Sequence, residues 1–309
     1  MVTSKNAGLA VPDWPTTFGY NMFLFPASKW IGGILFEHTH RLIASTVGFL
    51  TLTLAGWLWR AEPRKWVRNL GFVAVGAVIL QGILGGIRVT LLRDEIGIFH
   101  ACLAQAFFGL LVLIALSTSR FWNKARRIYG ESAKRLRVLA LATTLVIYLQ
   151  LGLGAMMRHQ HRDLSITDFP TAYGLWIPDT SDAALAKINA ARDARGFSNV
   201  TAGQIWLQMI HRFGAIIITI GVIAFFLTAR RERYFPLYPL SLLWIAGVFF
   251  QLTLGASTIW SNKAADIATA HVAVGATMLA LGVVISAFCF RPAAERSRRV
   301  GTAVRVVGV

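Results

Sequence analysis

Cysteine is almost missing from this chain of 309 residues: Cys102 and Cys289 are the whole supply. Both lie inside apolar runs, at opposite ends of their helices, which argues against a disulfide framework. With no CxxCH motif, any haem would have to be held without thioether bonds. Cys102 follows His100 by two residues, but a packed, inert thiol explains it better than a redox role. Acidic residues are scarce too, 14 Asp and Glu against 31 Lys and Arg. Charged residues make up only 15% of the chain, too few to cover a soluble domain of this length. The net charge of +17 does not point to nucleic acid. The basic residues sit in short loops between apolar runs, not on one amphipathic face. The start does not read as a cleavable signal peptide.

What the chain does have is hydrophobic residues, 55% of the total, with a mean hydropathy of +0.57. A membrane-spanning helix needs about 20 mainly apolar residues. Seven segments qualify, at about 31–59, 67–89, 96–118, 137–157, 204–229, 236–259 and 266–290. Residues 158–203 are too polar to span, and a short interfacial helix is predicted near 180–193. The loops at 60–69, 119–136 and 230–235 and the tail from 291, with Arg137, hold 19 Lys/Arg and 4 Asp/Glu. The opposite-side segments hold 10 and 10. The positive-inside pattern then puts the N-terminus and the 158–203 loop outside and the C-terminus in the cytoplasm. The expected fold is an all-α polytopic membrane protein of two pseudosymmetric helical bundles. They comprise residues 1–118, a cytoplasmic linker at 119–136, residues 137–290 with the outer loop, and a basic tail at 291–309.

The halves repeat. Asp13-Trp-Pro-Thr-Thr-Phe-Gly19 returns as Asp168-Phe-Pro-Thr-Ala-Tyr-Gly174. His40-Arg41 matches His211-Arg212, and His100 matches His271, both at an offset of 171. Gln81-Gly-Ile-Leu-Gly-Gly86 matches Gln251-Leu-Thr-Leu-Gly-Ala256. The helix at 137–157 has no counterpart, so symmetry implies a helix missing ahead of residue 1. All four histidines fall in the first third of helices running from outside to inside, at similar depth. Ionisable groups there are functional by default. Two imidazoles on neighbouring helices can ligate a haem iron from both faces. A lone histidine would read as a hydrogen-bonded core residue, but two pairs at identical spacing favour ligation. Zinc would be short of ligands. Gly82, Gly85, Gly86, Gly255 and Ala256 suit a flat macrocycle or ordinary helix packing equally. His38 is expected on roughly the opposite face to His40, and His159 and His161 at an exposed helix exit.

One asymmetry stands out. Glu37 lies one turn before His40, whereas the matching residue before His211 is Gln208. A carboxylate there could act as acid, base or radical-stabilising group, or simply pair with Arg41 at i, i+4. Arg41 and Arg212 suggest charge-assisted contact with a haem propionate or the neighbouring loop.

Ala7-Gly-Leu-Ala-Val-Pro-Asp-Trp-Pro-Thr-Thr-Phe-Gly19 and Glu37-His-Thr-His40-Arg41 resemble the haem A synthase family. So do Phe99-His100-Ala, Gln208-Met-Ile-His211-Arg and Thr269-Ala-His271, making the similarity essentially end to end. The resemblance implies an eight-helix protein of two four-helix bundles, here without its first helix. It implies oxidation of the C8 methyl of haem O to a formyl group, giving haem A for cytochrome c oxidase. Carried over, His40 and His100 are the substrate-haem ligands and Glu37 the essential carboxylate. His211 and His271 become ligands of a non-covalent haem b cofactor, with Arg41, Arg212 and Gln208 as neighbours or propionate contacts. Some family members carry a cysteine pair in an outer loop, and neither cysteine here sits in one. The implied partners are haem O, an electron donor (a quinol or a ferredoxin-like protein), haem O synthase and the oxidase assembly machinery, in a bacterial inner membrane. A homo-oligomer is compatible with all of this. The alternatives are a non-catalytic bis-His di-haem b electron-transfer protein, which would not need Glu37, and a transporter, which would bind no haem.

Overall fold

The computed structural model describes residues 10–124, 128–159 and 164–291. Seven long helices carry the fold: α1 (Gly32–Ala61), α2 (Lys65–Leu91), α3 (Asp94–Thr118), α5 (Glu131–His159), α7 (Ala202–Glu232), α8 (Leu237–Trp260) and α9 (Ala265–Cys289). Two short helices complete the set among the described residues, α4 (Arg120–Lys124) and α6 (Asp182–Asp193). All seven long helices are apolar and long enough to cross a membrane. In hydrocarbon a helix satisfies its own backbone, and no strand segment occurs among the described residues. The protein is therefore a multi-pass membrane helical bundle.

The spans run a few residues beyond the purely apolar stretches. α5 begins at Glu131, inside the predicted linker, because Glu131, Lys134 and Arg135 are good helix formers at the membrane surface. The polar segment 164–201 is held by its own hydrogen bonds. Ser181 caps α6 by accepting from the Ala184 N–H, and the Arg192 Nε donates to Ser198 O at 2.8 Å. Gln204 Oε1 accepts the Thr201 N–H at 3.1 Å, closing the start of α7.

Two apolar cores match the two halves. The smaller holds Leu58, Val67, Ala74, Phe107 and Ile114 of α1–α3. The larger is built by α5, α7, α8 and α9 around Leu136, Phe225, Trp244 and Ile285. α7 packs against both α5 and α8, whereas α1 packs substantially on α2 alone among the helices. α3 docks on α5 and α9, which joins the halves, and Tyr148 Oη donates to Cys102 O at 3.2 Å across that seam.

Candidate functional site: two histidine clefts

Each half is closed at one end by a small turn. Thr17 and Tyr20 exchange backbone hydrogen bonds at 3.0 Å, with Phe18 and Gly19 left-handed between them. Ala172 and Leu175 do the same around left-handed Tyr173 and Gly174. Two consecutive positive φ values define a type I′ turn, and glycine meets that demand at the second position. The Asp13 carboxylate accepts from the Phe18 and Gly19 N–H and the Thr16 hydroxyl; Asp168 accepts from Tyr173, Gly174 and Thr171. Burial pushes both carboxyls up, but the accepted bonds, from Gly19 and Gly174 foremost, outweigh it and hold both below the usual range.

The arginines after the first ligand positions grip these turns. Arg41 donates to Asp13 O at 2.7 Å, Thr16 O at 2.9 Å, Val11 O at 3.1 Å and Glu37 Oε1 at 2.8 Å. Arg212 donates to Asp168 O at 2.7 Å, Thr171 O at 2.8 Å and Pro170 O at 3.3 Å. The anticipated contact with the neighbouring loop is thus present in both halves. Their fork is filled by carbonyls, which satisfies a charge that would otherwise be costly at this depth.

Glu37 and Gln208 occupy the same place with different chemistry. Gln208 Oε1 accepts the Ile166 N–H at 2.8 Å, and its Nε2 donates to Ile166 O at 3.2 Å. In the first half the task is shared: Glu37 Oε2 accepts the Val11 N–H at 3.1 Å, while Arg41 donates to both Val11 O and Glu37. The i, i+4 pair with Arg41 is thus real and buried, with side chains 9% and 5% exposed.

The histidines lie below this layer. His40 and His100 face each other with ring centroids 6.5 Å apart and planes at 76°. Glutamines steady the partner backbones: Gln81 Nε2 donates to His100 O at 3.0 Å, Gln251 Nε2 to His271 O at 2.9 Å and Gln150 Nε2 to His211 O at 2.6 Å. Glycines lie against the rings. A Cβ on Gly85 would come within 3.3 Å of His100, on Gly255 within 3.2 Å of His271 and on Gly154 within 3.5 Å of His211. Gly86 serves another purpose, since a Cβ there would sit 2.5 Å from the Trp14 ring. A Cβ on Gly82 would meet nothing, and Ala256 is simply buried. The Nδ1 atoms of His100, His211 and His271 are buried without a hydrogen-bond partner. Buried polar atoms rarely stay unpaired, so these imidazoles fit a ligand role. No group of three or more His, Cys, Asp or Glu able to hold a metal ion exists among the described residues. His40 with His100, and His211 with His271, therefore fit a haem held without covalent attachment better than a bare metal ion.

One expectation is corrected, and one is met with an unexpected setting. His159 is buried, not exposed: it ends α5 against α3, where a Cβ on Gly97 would lie 2.7 Å from its Nδ1. The helix exit is covered by the other half, which hydropathy along one helix could not reveal. His38 does point away from His40, but inward: it is 0% exposed, packed on Phe25 and Trp30, with Thr17 Oγ1 3.3 Å from its Nδ1. His161 lies outside the described residues. The sequence reading missed Arg88, which sits on α2 beside His159; that Arg88 matches no charged residue in the second half was the available signal.

Fold and site together define a duplicated helical membrane protein with one histidine pair per half, each capped by an arginine-gripped turn. The chain belongs to the COX15-CtaA family, the cytochrome oxidase assembly proteins, whose profile matches residues 1–283. It is similar to the heme A synthase of Shewanella oneidensis, 26% identical over 317 aligned positions covering 95% of this chain and 92% of that one. The heme A synthase of Halalkalibacterium halodurans is 24% identical, over 89% of this chain and 85% of the relative. That of Shouchella clausii is 25% identical, over 74% and 68%.

Proposed function

We propose that the protein is a haem A synthase. The C8 methyl of haem O is hydroxylated twice, each step consuming one dioxygen, two protons and two electrons from an external donor and releasing one water. The resulting geminal diol loses water to the aldehyde. The observation that carries this reading is the paired, unequal site. Two histidine pairs share glutamine and glycine supports, and a carboxylate stands one turn from the ligand in one half only. Family membership and the named relatives support the same pathway.

In this reading His40 and His100 hold the substrate haem. His211 and His271 hold a haem b, which when bound supplies one-electron redox chemistry. Glu37 stands one helical turn before His40, where its carboxyl group stabilises positive charge developing on the substrate or moves a proton. Val11 and Arg41 hold that carboxylate in one position. Trp14, packed over Gly86, and the outer turn shield the first cleft from water. We assign the cleft side to the outside of a bacterial inner membrane and the basic loops to the cytoplasm, by the positive-inside pattern.

The test is reverse-phase chromatography with mass detection of haem extracted from protein co-expressed with a haem O-producing farnesyltransferase. Haem A or its hydroxymethyl precursor beside haem B is the expected result. Haem B alone would mean a di-haem electron-transfer protein instead.

A further inference from the structure

Arg88 lies in the last turn of α2, partly buried, on the outer side of the bundle. Its guanidinium turns inward over α3: a Cβ on Gly97 would lie 2.9 Å from Arg88 Nε as well as 2.7 Å from His159 Nδ1. Gly97 precedes His100 by one helical turn, so both stand on the same face of α3. Only a glycine leaves room for two such groups there. Arg88 lies within electrostatic reach of His40, His100, Glu37 and Asp94. Among the described residues nothing accepts a hydrogen bond from its five N–H groups. Arg41 and Arg212 differ, since carbonyls and Glu37 already take their donors.

At the matching position the second half has an uncharged residue. At the offset of 170 that relates Gln81 to Gln251 and Gly85 to Gly255, Arg88 corresponds to Thr258. The Thr258 hydroxyl is spent on its own helix, donating to Leu254 O at 2.8 Å. A permanently charged, unbonded fork beside one histidine pair and absent from the other is the signature of a ligand-directed group.

We propose that Arg88 is the carboxylate anchor of the first cleft, taking a propionate of the porphyrin that His40 and His100 hold. This rests on the first cleft being a porphyrin site. The propionates are the charged edge of an otherwise apolar macrocycle, so they belong at the outer mouth, where Arg88 waits. A planar guanidinium matches a carboxylate in two parallel hydrogen bonds. In haem O the C8 methyl and one propionate share a pyrrole, so gripping that propionate also fixes where the methyl lies relative to Glu37. Arg88 is thereby a positioning residue, acting on the ring through its carboxylate edge. His159, delivered by the opposite half, closes the corner behind it.

The test is binding by the purified full chain of iron(III) protoporphyrin IX and of its dimethyl ester, each titrated by Soret absorbance. Loss of a charged hydrogen-bonded contact predicts that Arg88→Gln weakens the diacid by about tenfold or more and the diester by less than about twofold. Undiminished diacid binding would overturn the proposal, as it would if Arg88 served a lipid headgroup. Should Arg88→Gln lose both porphyrins, Arg88→Lys decides, since it keeps the charge without the fork. A diacid preference retained there upholds the assignment, and no preference removes it. The double variant His40→Ala/His100→Ala separates the two readings: if it binds both porphyrins like the unchanged chain, the porphyrin-site reading has failed, whatever Arg88 does.

Discussion

The two halves perform one construction with different materials. On α7, Gly214 and Gly221 leave space that Gln150 and Thr143 of α5 fill, and a Cβ at either glycine would collide with them. At the matching positions on α1, the offset of 171 gives Ile43 and Leu50, which are 58% and 56% exposed. His211 is accordingly half-covered by α5, whereas His40 is exposed. The outer turn is anchored in one half by the neutral amide of Gln208 and in the other by a buried Glu37–Arg41 ion pair. An amide suffices to hold the turn, so the carboxylate is more than structure requires. A neutral amide at this place marks the half proposed to hold a permanent cofactor, and a buried carboxylate marks the half proposed to exchange a substrate.

Making the first half resemble the second gives the largest expected effect. Glu37→Gln should keep the Val11 segment docked, as Gln208 docks Ile166, yet lower formyl-haem yield by about 10²-fold or more. Normal yield of extracted haem A from this variant would show that Glu37 is structural only. Glu37→Ala is harsher on the fold, because it strands the buried Arg41 without its anion, at about 3–5 kcal/mol. Gln208→Ala leaves one backbone N–H and one C=O unpaired, for about 1–3 kcal/mol. Thermal unfolding in detergent should rank Glu37→Ala below Gln208→Ala, and the reverse order would contradict the ion pair's role.

Packing yields a smaller contrast. Gly214→Ile forces α5 away and should cost about 1–3 kcal/mol, with loss of the haem absorption assigned to the His211 half. Ile43→Gly gains no partner and should cost only about 1 kcal/mol, as an ordinary glycine in a helix does. Equal losses would mean that α1 meets a helix as α7 does.

Smallest is the pH response of the two turns, where the halves should agree. Asp13 and Asp168 are held below their unfolded values, so their contribution is complete above the ordinary carboxyl range near pH ~4. It is lost as pH falls through the depressed values. Hydrogen-exchange protection of 10–20 and 165–175, taken relative to the intrinsic rate at each pH, should hold from neutral pH to about pH 4 and fall below it. Asp13→Asn should abolish that step in the first turn alone; an unchanged step there would remove Asp13 as its cause.

Much of this was legible along the chain. The seven spans, the helix near 180–193 and the repeated Asp-Trp-Pro-Thr-Thr-Phe-Gly turn appear where hydropathy and spacing put them. Which loop carbonyls Arg41 and Arg212 grip was not legible, because those acceptors lie 25 or more residues away in sequence and carry no side-chain signal. His159 was misplaced because its burial depends on α3, a helix of the other half. Arg88 was overlooked for the same reason: read along α2 it is one more charge at a helix end.

By itself the sequence determined the class of protein, the number of spans, the duplication and the histidines worth pairing. Those follow from local properties, since each helix in a bilayer must be apolar and satisfy its own backbone within its own segment. Only the tertiary structure decided which side chains from different helices share a space: Gln150 in the notch of Gly214, Arg41 in the outer turn, Arg88 and His159 over Gly97. Those meetings depend on how each helix is rotated about its axis against its neighbours. That rotation is set by the shape of the partner surface rather than by the hydropathy of either helix alone.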